Sequence, residues 1–162
     1  MGSGKTTVAT ELGRRLELPV ADTDTLVEER AGCTVADLFA DRGEGAFREL
    51  EHRTLVEALD THAGILALGG GAVLDPRSRH ALRGHRVVLL QVDAAEALRR
   101  IPDDGSRPLL AEADPGAAWV AVARGRRPLY EAIATFAVDT TGRTPAEVAD
   151  QILDRLDREH HD

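Results

Sequence analysis

The chain opens on a short run of glycine, lysine and threonine residues whose spacing is typical of a phosphate-binding loop. The run consists of Gly2, Ser3, Gly4, Lys5, Thr6 and Thr7. Glycines let backbone N–H groups turn toward phosphate oxygens, and the N-terminus of a following helix adds positive potential. In such loops the lysine, here Lys5, reaches the β- and γ-phosphates, and the hydroxyl of Thr6 ligates Mg²⁺. The run therefore predicts a nucleoside triphosphate site, and a glycine-rich tail before a helix is the alternative.

The complete phosphate-loop pattern contains one more glycine, five positions before Gly4, and a strand that leads into the loop. That glycine position falls two residues ahead of Met1. We therefore expect about 5–15 further residues, including an apolar strand, in the natural protein. The in-frame sequence upstream of Met1 tests this expectation.

Two aspartates, Asp22 and Asp24, end the first apolar segment after the loop helix. If this segment is extended, side chains two residues apart point the same way, so both carboxylates would face the phosphate loop. One of them could hold Mg²⁺ through water while the other accepts a hydroxyl proton. Capping of a turn or helix is the alternative. Thr25 and Glu28 have capping-box spacing, which predicts a helix from Thr25.

A second group of candidates combines an arginine with a run of glycines. Arg48 and Glu51 are one helical turn apart, so the carboxylate can hold the guanidinium, although an exposed ion pair has the same spacing. Gly69, Gly70 and Gly71 directly follow an apolar strand pattern. Close approach of a ligand would explain three glycines there, and a tight turn is the alternative.

Further arginines lie in the second half of the chain. Arg107 falls in a polar loop rich in proline and glycine, predicted over about 102–116, where an arginine on a closing lid suits phosphoryl transfer. Arg126 and Arg127 precede a helix break predicted at Pro128, and one of them can bind a carboxylate bidentately. Solvated arginines are the alternative for all three.

Helix and strand patterns alternate along the chain and predict an α/β domain with a parallel sheet. The chain has 162 residues, a single cysteine, and 28 acidic against 20 basic residues, a net charge of −8. This composition argues against disorder, disulfides and nonspecific nucleic-acid binding. We expect no signal peptide or membrane span, one domain over residues 1–162, and a cytoplasmic location.

Six segments together resemble the shikimate kinase family over nearly the whole chain. They are residues 2–7, 22–24, 43–51, 69–73, 107–110 and 126–130. The resemblance implies a three-layer α/β/α sandwich like that of nucleoside-monophosphate kinases, with a parallel sheet of order 2-3-1-4-5. Strand 1 of that order is absent from this sequence, because it precedes the phosphate loop.

The resemblance also implies an activity: transfer of the γ-phosphate of ATP to the 3-hydroxyl of shikimate, with Mg²⁺, on the route to aromatic amino acids. It implies that Asp22 holds Mg²⁺ through water, and that Asp24 binds the shikimate hydroxyls and acts as base. Arg48 and Arg126 would bind the shikimate carboxylate, and the glycines at 69–71 would offer N–H groups to the ring. Arg107 would contact ATP and the transferred phosphate.

Arg143 matches the family's adenine-contacting position, although a surface arginine before a helix fits the sequence as well. We expect a monomer with a small-molecule substrate and neither a nucleic-acid nor a membrane partner. Two other functions fit parts of the pattern. One is another small-molecule kinase of this fold, such as a gluconate kinase or a nucleotide kinase. The other is an inactive nucleotide-binding domain that lacks its first strand.

Overall fold

The computed structural model describes residues 2–100 and 114–159. Arg107 and most of the predicted 102–116 loop lie outside these ranges. The helices are α1 (Lys5–Leu16), α2 (Thr23–Ala31), α3 (Val35–Thr61), α4 (Pro76–Ala81), α5 (Ala94–Arg100), α6 (Pro115–Ile133) and α7 (Pro145–Glu159). The strands are β1 (Val20–Asp22), β2 (Ile65–Ala67), β3 (Val88–Gln91) and β4 (Phe136–Asp139), and a 3₁₀ helix spans Ala72–Leu74.

The four described strands form two parallel pairs. β1 pairs with β2, and Val20 is opposite Ile65. β3 pairs with β4, and Val88 is opposite Phe136. The predicted order 2-3-1-4-5 counts the strand ahead of the phosphate loop as strand 1, so β1 to β4 correspond to its strands 2 to 5. The pairs β1–β2 and β3–β4 are therefore the predicted neighbours 2-3 and 4-5, and the α/β class and both adjacencies are confirmed.

A cleft separates the two pairs at the place that the predicted order assigns to strand 1. Its volume is about 1070 Å³, and it is lined by side chains of β2 and β3 together with α1 and α7. Leu66, Leu89, Leu12 and Ile152 are among the lining residues. Among the described strands, β2 and β3 each have one partner, so each presents a free edge toward this apolar space.

The first of the packed clusters holds helices α1 and α7 against the strands. Val8 and Leu12 of α1 pack with Val138 of β4 and with Val148 and Ile152 of α7. This packing fixes the first turn of α1, and hence the phosphate loop, relative to the sheet.

The second cluster joins α2 to α3 through Val27, Leu38 and Phe47. Helix α3 contains one non-helical residue, Gly43, whose φ of 77° and ψ of 173° divide it into two helical segments. A left-handed φ is accessible to glycine without a Cβ penalty, so Gly43 is where the helix changes direction.

Helices α2 and α6 differ from the predictions. Helix α2 begins at Thr23 and is capped by Asp22, whose side chain accepts a hydrogen bond from the N–H of Asp24. The prediction that a capping box starts this helix at Thr25 is therefore wrong. Helix α6 runs unbroken through Pro128, so the predicted break is also wrong. A proline removes one intrahelical hydrogen bond, and α6 has tertiary contacts both before that point, through Ala118 and Trp119, and after it, through Tyr130. Because α6 starts at Pro115, the end of the predicted 102–116 loop is also helical.

Candidate active site

The phosphate loop has the backbone conformation that its glycines make accessible. Gly2 and Gly4 have φ values of 71° and 80°, in the left-handed region that L side chains rarely adopt. A Cβ on Gly2 would lie 2.5 Å from the carbonyl oxygen of Ala97. The loop therefore packs directly on α5, and Gly4 caps α1 without a side-chain hydrogen bond. The first N–H groups of α1 consequently remain available to an anion.

Lys5 and Thr6 carry the polar groups that the loop presents. Within the described part of the chain, no hydrogen bond or ion pair engages the ammonium of Lys5. The hydroxyl of Thr6 donates to Oδ2 of Asp22 at 2.8 Å, which leaves its oxygen lone pairs available as a ligand. The described residues contain no group of three or more His, Cys, Asp or Glu side chains that could hold a metal ion. One hydroxyl beside one carboxylate fits Mg²⁺, which keeps several waters and phosphate oxygens as ligands.

The two aspartates do not point the same way, contrary to the prediction from an extended strand. Asp22 ends β1 and contacts the phosphate loop through Thr6. Asp24 lies in the first turn of α2, and its Oδ1 would be 2.4 Å from a Cβ on Gly69. The helix starts earlier than predicted, so the chain turns between the two residues. Asp22 therefore faces the phosphate loop, and Asp24 faces the triple-glycine turn.

Arg48 and Glu51 form a partly buried ion pair, not the exposed pair that was the alternative. Nη1 of Arg48 donates to Oε2 of Glu51 at 2.6 Å. The guanidinium also lies over the ring of Phe47, with Cζ 4.8 Å from the ring centroid. The Glu51 side chain is 3% exposed. Burial raises the pKa of the Glu51 carboxyl, the Arg48 charge opposes that shift, and the Asp24 charge adds to it.

Side chains from α2, α3 and α6 contact the triple-glycine turn. The N–H of Gly69 donates to Oγ1 of Thr23 at 2.8 Å, so this N–H is already used within the protein. A Cβ on Gly71 would lie 2.1 Å from Nη1 of Arg48. Gly70 faces α6, where the hydroxyl of Tyr130 donates to its carbonyl oxygen at 2.6 Å. The glycines therefore allow charged side chains to come within contact of the backbone.

Arg126 enters the same cluster from α6. Its side chain is 9% exposed, and its Nη1 would be 3.6 Å from a Cβ on Gly70. The Arg126 charge acts on the Glu51 carboxyl and opposes the rise in its pKa. No acceptor among the described residues binds the Arg126 guanidinium. A nearly buried cation without a bonded acceptor is well suited to bind an anionic ligand group.

The structure places the remaining predicted residues apart from this cluster. Arg143 lies between β4 and α7, and its Nη1 is buried without a hydrogen-bond partner among the described residues. Arg107 lies outside the described residues, so its role stays a prediction.

Sequence reasoning missed Arg100, whose guanidinium is 4.0 Å from a Cβ position on Gly4 and donates to the carbonyl oxygen of Thr140 at 2.9 Å. It also missed roles for Thr23 and Tyr130. Only the helical spacing of Tyr130 from Arg126 could have indicated that those two share a face.

The model of the shikimate kinase family matches residues 1–157. The chain belongs to the shikimate kinase family. It is 44% identical to the shikimate kinase of Rhodococcus jostii, over 96% of this chain and 92% of that protein. It is 47% identical to the shikimate kinase of Thermobifida fusca, over 96% of this chain and 90% of that one.

Solved structures of the family have the same architecture. A shikimate kinase from Acinetobacter baumannii, in complex with shikimate, matches with a TM-score of 0.94 and 32% identity, over 98% of this chain and 89% of that chain. The shikimate kinase from Aquifex aeolicus matches with a TM-score of 0.83 and 28% identity, over 99% of this chain and 94% of that chain. The P-loop kinase fold is thereby confirmed. No helix in the described ranges combines the length and hydropathy needed to cross a bilayer.

Proposed function

We propose that this chain is a shikimate kinase, which transfers the γ-phosphate of ATP to the 3-hydroxyl of shikimate with Mg²⁺. The observation that carries the proposal is the arrangement around the triple-glycine turn. Two arginines, Arg48 and Arg126, and two carboxylates approach the same three glycines. Of the carboxylates, Glu51 is already paired with Arg48, and Asp24 is the one assigned to the substrate. A substrate with one carboxylate and several hydroxyls matches this combination, because the arginines bind the anion and Asp24 accepts from hydroxyls.

In this proposal the phosphate loop holds ATP and the glycine turn holds the acceptor. Lys5, Arg107 and the loop amides of residues 2–7 bind the phosphates, and Arg143 contacts the adenine. Thr6 would hold Mg²⁺ directly and Asp22 through water, and the ion would supply charge neutralisation at the phosphates. Phosphoryl transfer requires little covalent work from the protein, so positioning and charge neutralisation dominate.

Asp24 is the proposed base for the acceptor hydroxyl. It lies on the acceptor side of the site, next to Gly69, whereas Asp22 bonds the phosphate-loop hydroxyl of Thr6. The separate orientations of the two carboxylates support separate roles. Gly70 and Gly71 offer the remaining backbone N–H groups of the turn, since that of Gly69 bonds Thr23.

A substrate panel tests the proposal. Purified chain with Mg-ATP and, in turn, shikimate, gluconate or a nucleoside monophosphate is followed by coupled detection of ADP. Of the three acceptors, we expect only shikimate to give ADP release. NMR of the product should show the phosphate on the 3-hydroxyl. Turnover with gluconate but not shikimate would replace this function by the first alternative. Mg-ATP should also raise the melting temperature, Tm; that shift without turnover of any substrate would indicate an inactive nucleotide-binding domain.

We further propose a monomeric, cytoplasmic protein that consists of one domain over residues 1–162 and has no nucleic-acid or membrane partner. The net charge of −8 supports the exclusion of nucleic acid. Sedimentation at micromolar concentration tests the monomer, and a species of twice the mass would contradict it.

A further inference from the structure

We propose that Tyr130 is a positioning residue that sets the distance between the triple-glycine turn and the Arg126 guanidinium. This inference rests on the proposed function, because it assigns the carboxylate of the acceptor to Arg126. Tyr130 itself need not touch the substrate. It acts through the backbone of Gly70 on one side and through helix α6 on the other.

The geometry joins two parts of the chain that are sixty residues apart. The hydroxyl of Tyr130 donates to the carbonyl oxygen of Gly70 at 2.6 Å, in a partly buried position. Arg126 precedes Tyr130 by four residues on the unbroken helix α6, so the two side chains project from the same face. A Cβ on Gly70 would lie 3.4 Å from the Tyr130 hydroxyl and 3.6 Å from Nη1 of Arg126.

The opposite side of the turn is held independently. Thr23, which is buried at the start of α2, accepts the N–H of Gly69 at 2.8 Å. The turn is therefore bonded to α2 through Gly69 and to α6 through Gly70. No described acceptor binds the Arg126 guanidinium, so Arg126 itself does not anchor α6 to the turn. The face of α6 that carries Arg126 is instead joined to the turn by the hydrogen bond from the Tyr130 hydroxyl to Gly70.

Loss of this hydroxyl should weaken substrate binding while leaving the chemical step intact. Tyr130→Phe keeps the ring and its packing but removes one hydrogen bond. For a neutral bond, the expected rise in the KM for shikimate is about 2- to 12-fold. The KM for ATP and kcat should change less than about 2-fold, because the phosphate loop packs on α5 and the helix that follows it, α1, packs on α7.

Thr61→Val is the matched control. It also removes a hydroxyl that donates to a backbone carbonyl, that of Glu57 at 2.7 Å, at the far end of α3. Steady-state kinetics of both variants are measured in the natural background and in Arg126→Lys. If Tyr130 acts through Arg126, Tyr130→Phe should raise the KM for shikimate much less in the Arg126→Lys background. An unchanged KM, an equal factor in both backgrounds, or an equal rise in the KM for ATP would overturn the proposal.

A measurement without substrate keeps this inference separate from the proposed function. The N–H of Ala72 bonds the carbonyl oxygen of Gly69 at 3.1 Å, so its hydrogen exchange reports on the turn. Exchange over residues 69–74 should be faster in Tyr130→Phe than in Thr61→Val. Unchanged exchange refutes the positioning role even if the chain shows no turnover. Lack of shikimate turnover by the unaltered chain, with faster exchange in Tyr130→Phe, would refute the proposed function alone.

Discussion

Gly71→Ala should weaken the binding of the substrate by Arg48 without changing the backbone conformation. Gly71 has φ −92° and ψ −9°, in the bridge region, which alanine can also adopt because φ is negative. The substitution therefore acts mainly through the added methyl group. That carbon would lie 2.1 Å from Nη1 of Arg48 and 2.6 Å from its Cζ. The guanidinium must therefore move, because neither contact is tolerated.

The size of the displacement predicts the size of the effect. Ordinary van der Waals contact begins near 3.4 Å, so the Arg48 guanidinium must retreat by about 1.3 Å from the 2.1 Å position. The 2.6 Å bond to Glu51 then stretches beyond hydrogen-bonding distance or is remade elsewhere. A hydrogen bond to a charged group contributes about 1.5–3 kcal/mol. Loss of one such bond to the substrate corresponds to about a 10- to 150-fold rise in the KM for shikimate.

The assay is coupled ADP detection with shikimate varied at saturating Mg-ATP, together with Tm from thermal melting. Glu51 loses its partner in this variant, so Tm should fall, by about 2–4 °C for each kcal/mol. Gly45→Ala is the matched control, because a Cβ there meets nothing within 4 Å. It lies within helix α3, where alanine is favoured over glycine, and both Tm and KM should stay unchanged or improve.

A double substitution separates the clash from any other effect of the methyl group. In an Arg48→Ala background the displaced guanidinium is gone, so Gly71→Ala should add little to the KM for shikimate. A rise of less than about 3-fold for Gly71→Ala in the natural background would refute the reasoning, since it lies below the estimate for one charged bond. The reasoning would also be refuted if Gly71→Ala raised the KM for shikimate by the same factor in the Arg48→Ala background as in the natural background.

Three further predictions concern the base, a helix cap and the cleft. Asp24→Asn should lower kcat by about 10²-fold or more while Tm changes little, and near-normal turnover would remove Asp24 as the base. Bonds from Arg77 lower the pKa of Asp75, the N-cap of α4, from 3.8 to about 2. Asp75→Ala should therefore cost about 1 kcal/mol of the free energy of unfolding at pH 7. Because the folded-state pKa is depressed, the Tm difference from the unaltered chain should persist above pH 3.8 and vanish as pH falls through about 2; a constant difference in Tm scans would contradict this. An apolar strand of about four to six residues fused ahead of Gly2 should fill the cleft between β2 and β3 and raise Tm. The same extension with a central proline should raise Tm less, and equal shifts would count against strand pairing.

Local sequence signals were sufficient where a single segment determines the outcome. The glycines of the phosphate loop are where the sequence predicted them, and the capping box of α7 formed by Thr144 and Glu147 is equally local. In each case the residues that specify the conformation are within a few positions of one another. Backbone sterics and short-range hydrogen bonds therefore suffice to determine it.

Predictions that depended on the direction of a side chain were less successful. The sequence indicated that Asp22 and Asp24 belong to the site, but their orientations depend on the residue at which α2 begins. That residue is set by the cap of Asp22 on the N–H of Asp24, in competition with the capping box at Thr25. The break predicted at Pro128 was wrong for a related reason. Local propensity disfavours proline within a helix, but packing of α6 holds the helix through it.

The sequence by itself therefore determined the class of the fold, the phosphate loop and the set of charged residues available for catalysis. Only the tertiary structure decided which of them meet. Gly69, Gly70 and Gly71 are contacted from α2, α3 and α6, which are far apart along the chain. Contacts of this kind arise from the packing of whole elements, and the burial of Glu51 and Arg126 follows from that packing. No local pattern encodes a distance between elements, and for that reason the role of Tyr130 became apparent only in the folded chain.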